Sequence, residues 1–90
     1  METRFDPAKD AANIARHGIS LERAFEMNLN LTLTFEDDRF DYGEDRWISI
    51  GPIEADLYLL AHTYRNDKIR PISLRKAEKV ERRLYQRGWG

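Results

Sequence analysis

An α+β fold is predicted for this chain of 90 residues, with two N-terminal helices, a three- to four-stranded antiparallel sheet and a C-terminal helix. Three observations predict it. A capped, alanine-rich segment opens the chain. The apolar period switches from helical to alternating near Leu29 and back near Ser73. The connections between the alternating runs are short, which favours an antiparallel meander with helices against one face.

The first helix is marked at both ends. Asp6 can cap, Pro7 suits the first helical position, and His17-Gly18 is a stop signal. Ser20 can cap a second helix over Leu21 to about Met27. Leu29 to Phe35 alternates strictly and reads as a first strand. Glu36 to Asp45 is an acidic loop with six carboxylates. Arg46 to Ile50 reads as a second strand, Gly51-Pro52 as a turn, and Asp56 to Tyr64 as a central third strand. After an Asn66-Asp67 turn, Lys68 to Ser73 is a fourth strand, placed at an edge because Pro71 cannot donate to a ladder. The last helix is expected from about Ser73, with Ala77, Val80 and Leu84 as its buried stripe.

Composition narrows the function. A hydrophobic fraction of 41% beside a charged fraction of 34% describes one globular domain over residues 1–90, not a disordered chain. With no cysteine there is no disulfide, thiolate zinc site or cysteine nucleophile. Two histidines make a dedicated metal cage a poor reading, and no metal or cofactor is expected. The longest apolar runs, such as Leu57–Ala61, are too short to cross a bilayer, and Met1 to Asp6 is no apolar signal. A cytoplasmic protein without membrane contact is expected.

The net charge of −1 conceals a division. Residues 1–60 carry six Lys/Arg against thirteen Asp/Glu, and residues 61–90 carry nine against three. The local field of the last third suits a polyanion, although a charge run can equally be a solvated face. The acidic loop lacks the regular calcium-loop pattern. It is expected to lie away from the basic residues, repelling a polyanion from its flank or meeting a partner's basic surface.

Several segments in order are similar to the BrnT family of bacterial type II toxins. Phe5-Asp6-Pro7-Ala8-Lys9 with Asn13 and His17-Gly18-Ile19-Ser20 resembles that family's opening. Gly43 to Gly51 resembles its second strand, and His62-Thr63-Tyr64-Arg65, Ile69 to Ala77 and Glu81 to Tyr85 its C-terminal half. Phe5 stands where a tryptophan is usual, and Pro71 where a β-branched residue is usual. The resemblance implies a RelE-like ribonuclease that arrests growth. It also implies a BrnA-type antitoxin partner, through which operator DNA is bound only indirectly.

Metal-independent RNA cleavage needs a base for the 2′-hydroxyl, an acid for the leaving oxygen and cations for the phosphoryl group. His62 titrates nearest neutrality and is the candidate acid or base. It reads equally as a hydrogen-bonded histidine packing the sheet edge, or as an RNA contact that moves no proton. Tyr64 shares its strand face and can assist proton transfer or stack on a base. Arg65 and Arg70 complete the catalytic set, since guanidinium matches phosphate oxygens in pairs. Arg75 and Lys76, expected in the first turn of the last helix, are further phosphate candidates or surface-pair formers. Lys79, Arg82 and Arg83 are candidates for tracking the RNA backbone, holding the antitoxin or simply facing solvent. On the first helix Lys9 is a substrate-binding candidate, near Asn13, Arg16 and His17 at helical spacing. A binding module of the same fold without catalysis, and a structural protein of unrelated activity, are the alternatives.

Overall fold

The structure, a computed structural model, describes residues 4–39 and 43–89. Helix α1 (Pro7–His17) starts as its sequence dictates: Asp6 Oδ1 accepts from the Ala8 N–H at 2.8 Å, and Pro7 takes the position that needs no donor. Gly18 closes it in the left-handed region at φ 71°. The second helix is a 3-10 helix over Leu21–Glu26, capped by the Ser20 hydroxyl. The carboxylate of Asp10, on α1, accepts from both the Ser20 hydroxyl and the Leu21 N–H, which locks the two helices together.

Four strands, β1 (Leu33–Glu36), β2 (Trp47–Ile53), β3 (Asp56–Arg65) and β4 (Lys68–Lys76), form an antiparallel meander in chain order. Helix α2 (Lys79–Trp89) follows β4. The β3–β4 turn has both Asn66 and Asp67 at positive φ, the twist that suits a two-residue hairpin.

Four expectations are corrected. Leu29–Leu31 is a short 3-10 turn, not strand: Asn28 accepts from the Asn30 N–H through its side chain and from the Leu31 N–H through its carbonyl. Gly51 and Pro52 continue β2, and the turn falls after Ile53, with Glu54 at positive φ. Pro52 is tolerated because its carbonyl side lies beyond the end of β1, where it accepts from the Asn28 N–H, so no ladder donor is missing there. Arg75 and Lys76 belong to β4, paired with Leu59 and Tyr58, and α2 begins only at Lys79. Cross-strand pairing overrides their helical propensity.

The fourth correction concerns the faces. The N-terminal helices cover one face of the sheet, where Leu21, Ala24 and Met27 pack on Ile53, Tyr58, Leu60 and Leu74. The opposite face carries Ile48, Ile50, Ala61 and Ala77, with Tyr85 of α2 packed against them. Helices therefore lie on both faces rather than one. The expected stripe of α2 is also turned outward: Val80 is 72% and Leu84 41% exposed. Glu81 sets that rotation, because its carboxylate holds both terminal guanidinium nitrogens of Arg75 at 2.8 and 3.0 Å and accepts from the Glu78 N–H. The Tyr85 hydroxyl then reaches the Leu31 carbonyl.

β4 is an edge strand, as Pro71 demanded, and Pro71 sits at a register shift where it pairs with His62. A bulge at that point absorbs a residue that cannot complete the ladder.

Candidate active site

Strand alternation puts Tyr58, Leu60, His62 and Tyr64 on the face covered by the N-terminal helices. Near Tyr64 that cover ends, and an open cleft of about 800 Å³ remains. Its apolar wall comes from the 3-10 segment and the adjoining strand: Phe25, Met27, Leu29 and Ile69. Its polar wall comes from Thr34 on β1 and from the β3–β4 hairpin, where Tyr64, Arg65, Lys68 and Arg70 line it. Arg4 completes the rim, stacked over the Phe25 ring at 3.6 Å and paired with Glu22 at 3.0 Å. The lining thus holds Arg4, already paired with Glu22, together with Arg65, Lys68, Arg70 and the carboxylate of Asp67. Among the described residues Arg65 and Lys68 make no ion pair, so their charge is available to an anion.

Tyr64 is held from two sides. The Trp47 ring stands edge-on to it at 5.9 Å and the His62 ring at 5.2 Å. Two aromatic edges fix the plane of the phenol while 47% of the residue stays exposed, which suits stacking against a base.

His62 does not face the cleft as an acid or base in contact with substrate would. It is 0% exposed, enclosed between Ser49 and the Tyr64 ring. Its Nε2 lies 2.7 Å from Ser49 Oγ, and its Nδ1 is buried without a hydrogen-bond partner. Burial pushes its pKa below the ordinary imidazole value, and the Thr63 backbone pulls weakly the other way. A neutral, enclosed imidazole cannot touch RNA, so direct proton exchange with substrate does not fit this geometry.

The other expected residues divide. Tyr64, Arg65 and Arg70 meet in the cleft. Lys9 is exposed on α1 and does not line it. Arg75 is bound by Glu81 and lies 3.3 Å from Glu78, and these carboxylates raise its pKa further, the Glu81 hydrogen bond most. Lys76 faces Asp56 at 3.5 Å. Neither is a cleft residue, and both carry a carboxylate partner instead. Lys79, Arg82 and Arg83 are exposed on α2, across the sheet.

Asp37 and Asp38 do not line the cleft, and Asp37 is buried against Arg39 through two bonds of 2.8 and 3.0 Å. Asp41 lies outside the described residues. Thr34, Ser49, Lys68 and Arg4 escaped the sequence reading. Ser49 alone left a signal, as a polar residue inside an apolar strand.

The model of the BrnT family, the ribonuclease toxins of type II toxin–antitoxin systems, matches residues 5–81. The chain belongs to this family, and its function is that of a ribonuclease toxin with an antitoxin partner and an RNA substrate. The match covers α1, the whole sheet and every cleft residue except Arg4. A comparison with curated proteins finds no match.

Proposed function

We propose that this toxin is a metal-independent endoribonuclease and that the cleft beside the β3–β4 hairpin is where it cuts. The observation that carries this reading is the convergence of Arg65, Lys68 and Arg70 with an exposed, aromatically braced Tyr64 on one open surface. The 2′-hydroxyl gives its proton to a base (solvent water or a group at the cleft rim), its oxygen attacks the adjacent phosphorus, and the bond to the 5′-oxygen breaks as that oxygen takes up a proton, leaving a 2′,3′-cyclic phosphate and a 5′-hydroxyl. Negative charge grows on the phosphoryl oxygens during that step. Guanidinium and ammonium groups already in place stabilise it without reorganising, which is the service a metal ion would otherwise perform. The apolar wall of Phe25, Met27 and Leu29 offers a surface for a base, with the Tyr64 phenol in the same wall as the backbone-binding cations. We further infer a BrnA-type antitoxin as the protein partner and the cytoplasm as the site of action. Among the described residues no helix is long and apolar enough to cross a membrane.

Incubating bulk RNA with the folded toxin in chelator tests the reaction. The expected products carry a 2′,3′-cyclic phosphate. Intact RNA in chelator, with cleavage restored by magnesium, would refute the metal-independent route.

A further inference from the structure

Behind the polar wall of the cleft, three side chains stand in a row across three strands. Thr34 of β1 faces Ser49 of β2 in register, and their hydroxyl oxygens are 2.7 Å apart. Ser49 Oγ is 2.7 Å from Nε2 of His62 on β3. Ser49 and His62 are buried, whereas Thr34 is exposed and lines the cleft. The row therefore opens to substrate at its threonine end.

The unused ring nitrogen fixes the direction of the row. A neutral imidazole carries one N–H. Placed on Nδ1, that donor would have at most the Thr63 backbone near it, and no hydrogen bond of ordinary geometry reaches Nδ1. Placed on Nε2, it meets Ser49 Oγ and leaves at Nδ1 only a lone pair. Orphaned buried N–H groups are rarer than unsatisfied acceptors, so the Nε2–H form is preferred. The imidazolium would orphan the same Nδ1–H. Its ring neighbours are the aromatic Tyr64, Pro71 across the bulge and Trp47 across β2, and none of these supplies a compensating carboxylate. With Nε2–H donating, Ser49 Oγ accepts and its own proton turns to Thr34 Oγ1. The Thr34 proton is then left for the cleft.

We propose that Thr34 is an anion-binding donor that hydrogen-bonds a phosphoryl oxygen of the RNA, and that Ser49 and His62 are positioning residues that set its direction. The proposal rests on reading the cleft as the cleavage site. A file of donors polarises its last member, so the Thr34 hydroxyl donates more strongly than an isolated one and is oriented before substrate arrives. His62 contributes here without gaining or losing a proton.

Variants of the row and the spectrum of the wild-type imidazole test this together. Thr34→Val and Ser49→Ala should each slow cleavage at saturating RNA by about 10- to 100-fold, more in kcat than in KM, and Thr34→Ser should restore most of the loss. His62→Gln keeps an N–H near the place of Nε2 and has no titrating ring. It should recover most of the rate that His62→Ala loses, with no new limb in the pH profile. Melting temperatures of all variants separate misfolding from lost positioning. His62→Gln as inactive as a folded His62→Ala, or Thr34→Val cutting at the wild-type rate, would overturn the proposal. Nitrogen-15 spectra of wild-type protein should place the imidazole proton on Nε2, and a proton on Nδ1 would overturn it even if no variant folds. Should the wild type leave RNA uncut in chelator, the cleavage reading fails separately. The row is then judged by its tautomer and by whether Thr34→Val weakens RNA binding in a filter assay, and unchanged binding sinks it.

Discussion

Replacing Asn13 with alanine should cost this small domain about a third to a half of its stability. The Asn13 amide donates to the carbonyls of Ile19 at 2.8 Å and Leu74 at 2.9 Å, and its oxygen accepts from the Leu74 N–H at 3.0 Å. The side chain is buried, and Leu74 is in the edge strand β4. The outward N–H and C=O of Leu74 have no fifth strand to meet, so the asparagine takes its place and ties α1 to the sheet. Asn13→Ala strands three backbone groups at about 1–3 kcal/mol each. A water entering the space, and the partial exposure of the Ile19 contact, recover part of that, leaving a loss of about 3 kcal/mol. A domain this size has about 5–10 kcal/mol in total and loses about 4–8 °C of melting temperature per kcal/mol, so Tm should fall by about 12–24 °C. Urea unfolding followed by circular dichroism should show a lower midpoint at unchanged slope. Asn13→Asp sharpens the test. It keeps an acceptor for the Leu74 N–H but turns a carboxyl toward two carbonyls. It should therefore be destabilised increasingly as pH rises above the ordinary carboxylate range. A Tm for Asn13→Ala within about 4 °C of wild type would refute the strand-surrogate argument.

Three further outcomes follow from single contacts. In Glu81→Gln the Arg75 ion pair is lost, at a cost of about 1–2 kcal/mol at neutral pH. Arg75 holds the Glu81 carboxyl below its ordinary pKa, so its stabilisation is present above the ordinary value and lost as pH falls through the lowered one. Urea titrations of the variant should accordingly show a flatter acid limb. In Gly51→Ala the new methyl collides with the Thr32 hydroxyl and lies 3.2 Å from Met27 Cγ, so thermal melting should report a loss of about 1–3 kcal/mol. Arg65→Gln combined with Arg70→Gln should lower RNA affinity and make its log–log salt slope shallower by about 1.4, whereas Arg82→Gln with Arg83→Gln should change the slope less.

Local signals were readable, and cross-strand ones were not. The bounds of α1 lie in Asp6-Pro7 and His17-Gly18, and the β3–β4 turn in Asn66-Asp67, because each is decided by neighbours in the chain. The alternation at Leu29–Leu31 was misleading, since Asn28 offers those backbone amides a nearer acceptor than any strand. Gly51 looked like a turn residue, yet what it answers is the close approach of Thr32 and Met27 to β2. Tyr64, Arg65 and Arg70 could be grouped from the sequence because one hairpin holds them. Thr34 could not be joined to His62, since their link depends on the registers of two strand pairs. His62 was expected to face substrate as an acid or base, whereas it follows Leu60 on the inward face of a central strand and is fully buried.

Charge order along the chain also differs from charge order in space. The nine cations of residues 61–90 separate into three groups once folded. Arg75 and Lys76 are held by carboxylates at the β4 edge. Lys79, Arg82, Arg83 and Arg87 ride on α2, opposite the face that leads to the cleft. Arg65, Lys68 and Arg70 line one cleft beside the exposed phenol of Tyr64, while Arg75 and Lys76 line a second, smaller concavity with Arg16, His17 and Arg23. A polyanion is held best where cations gather on a concave surface, which is why the proposed cleavage site is placed at the hairpin rather than on the more basic helix. The family match ends at Glu81, inside the first turn of α2. It therefore includes the Arg75–Glu81 clamp that seats the helix on the sheet, but not the arginines beyond it.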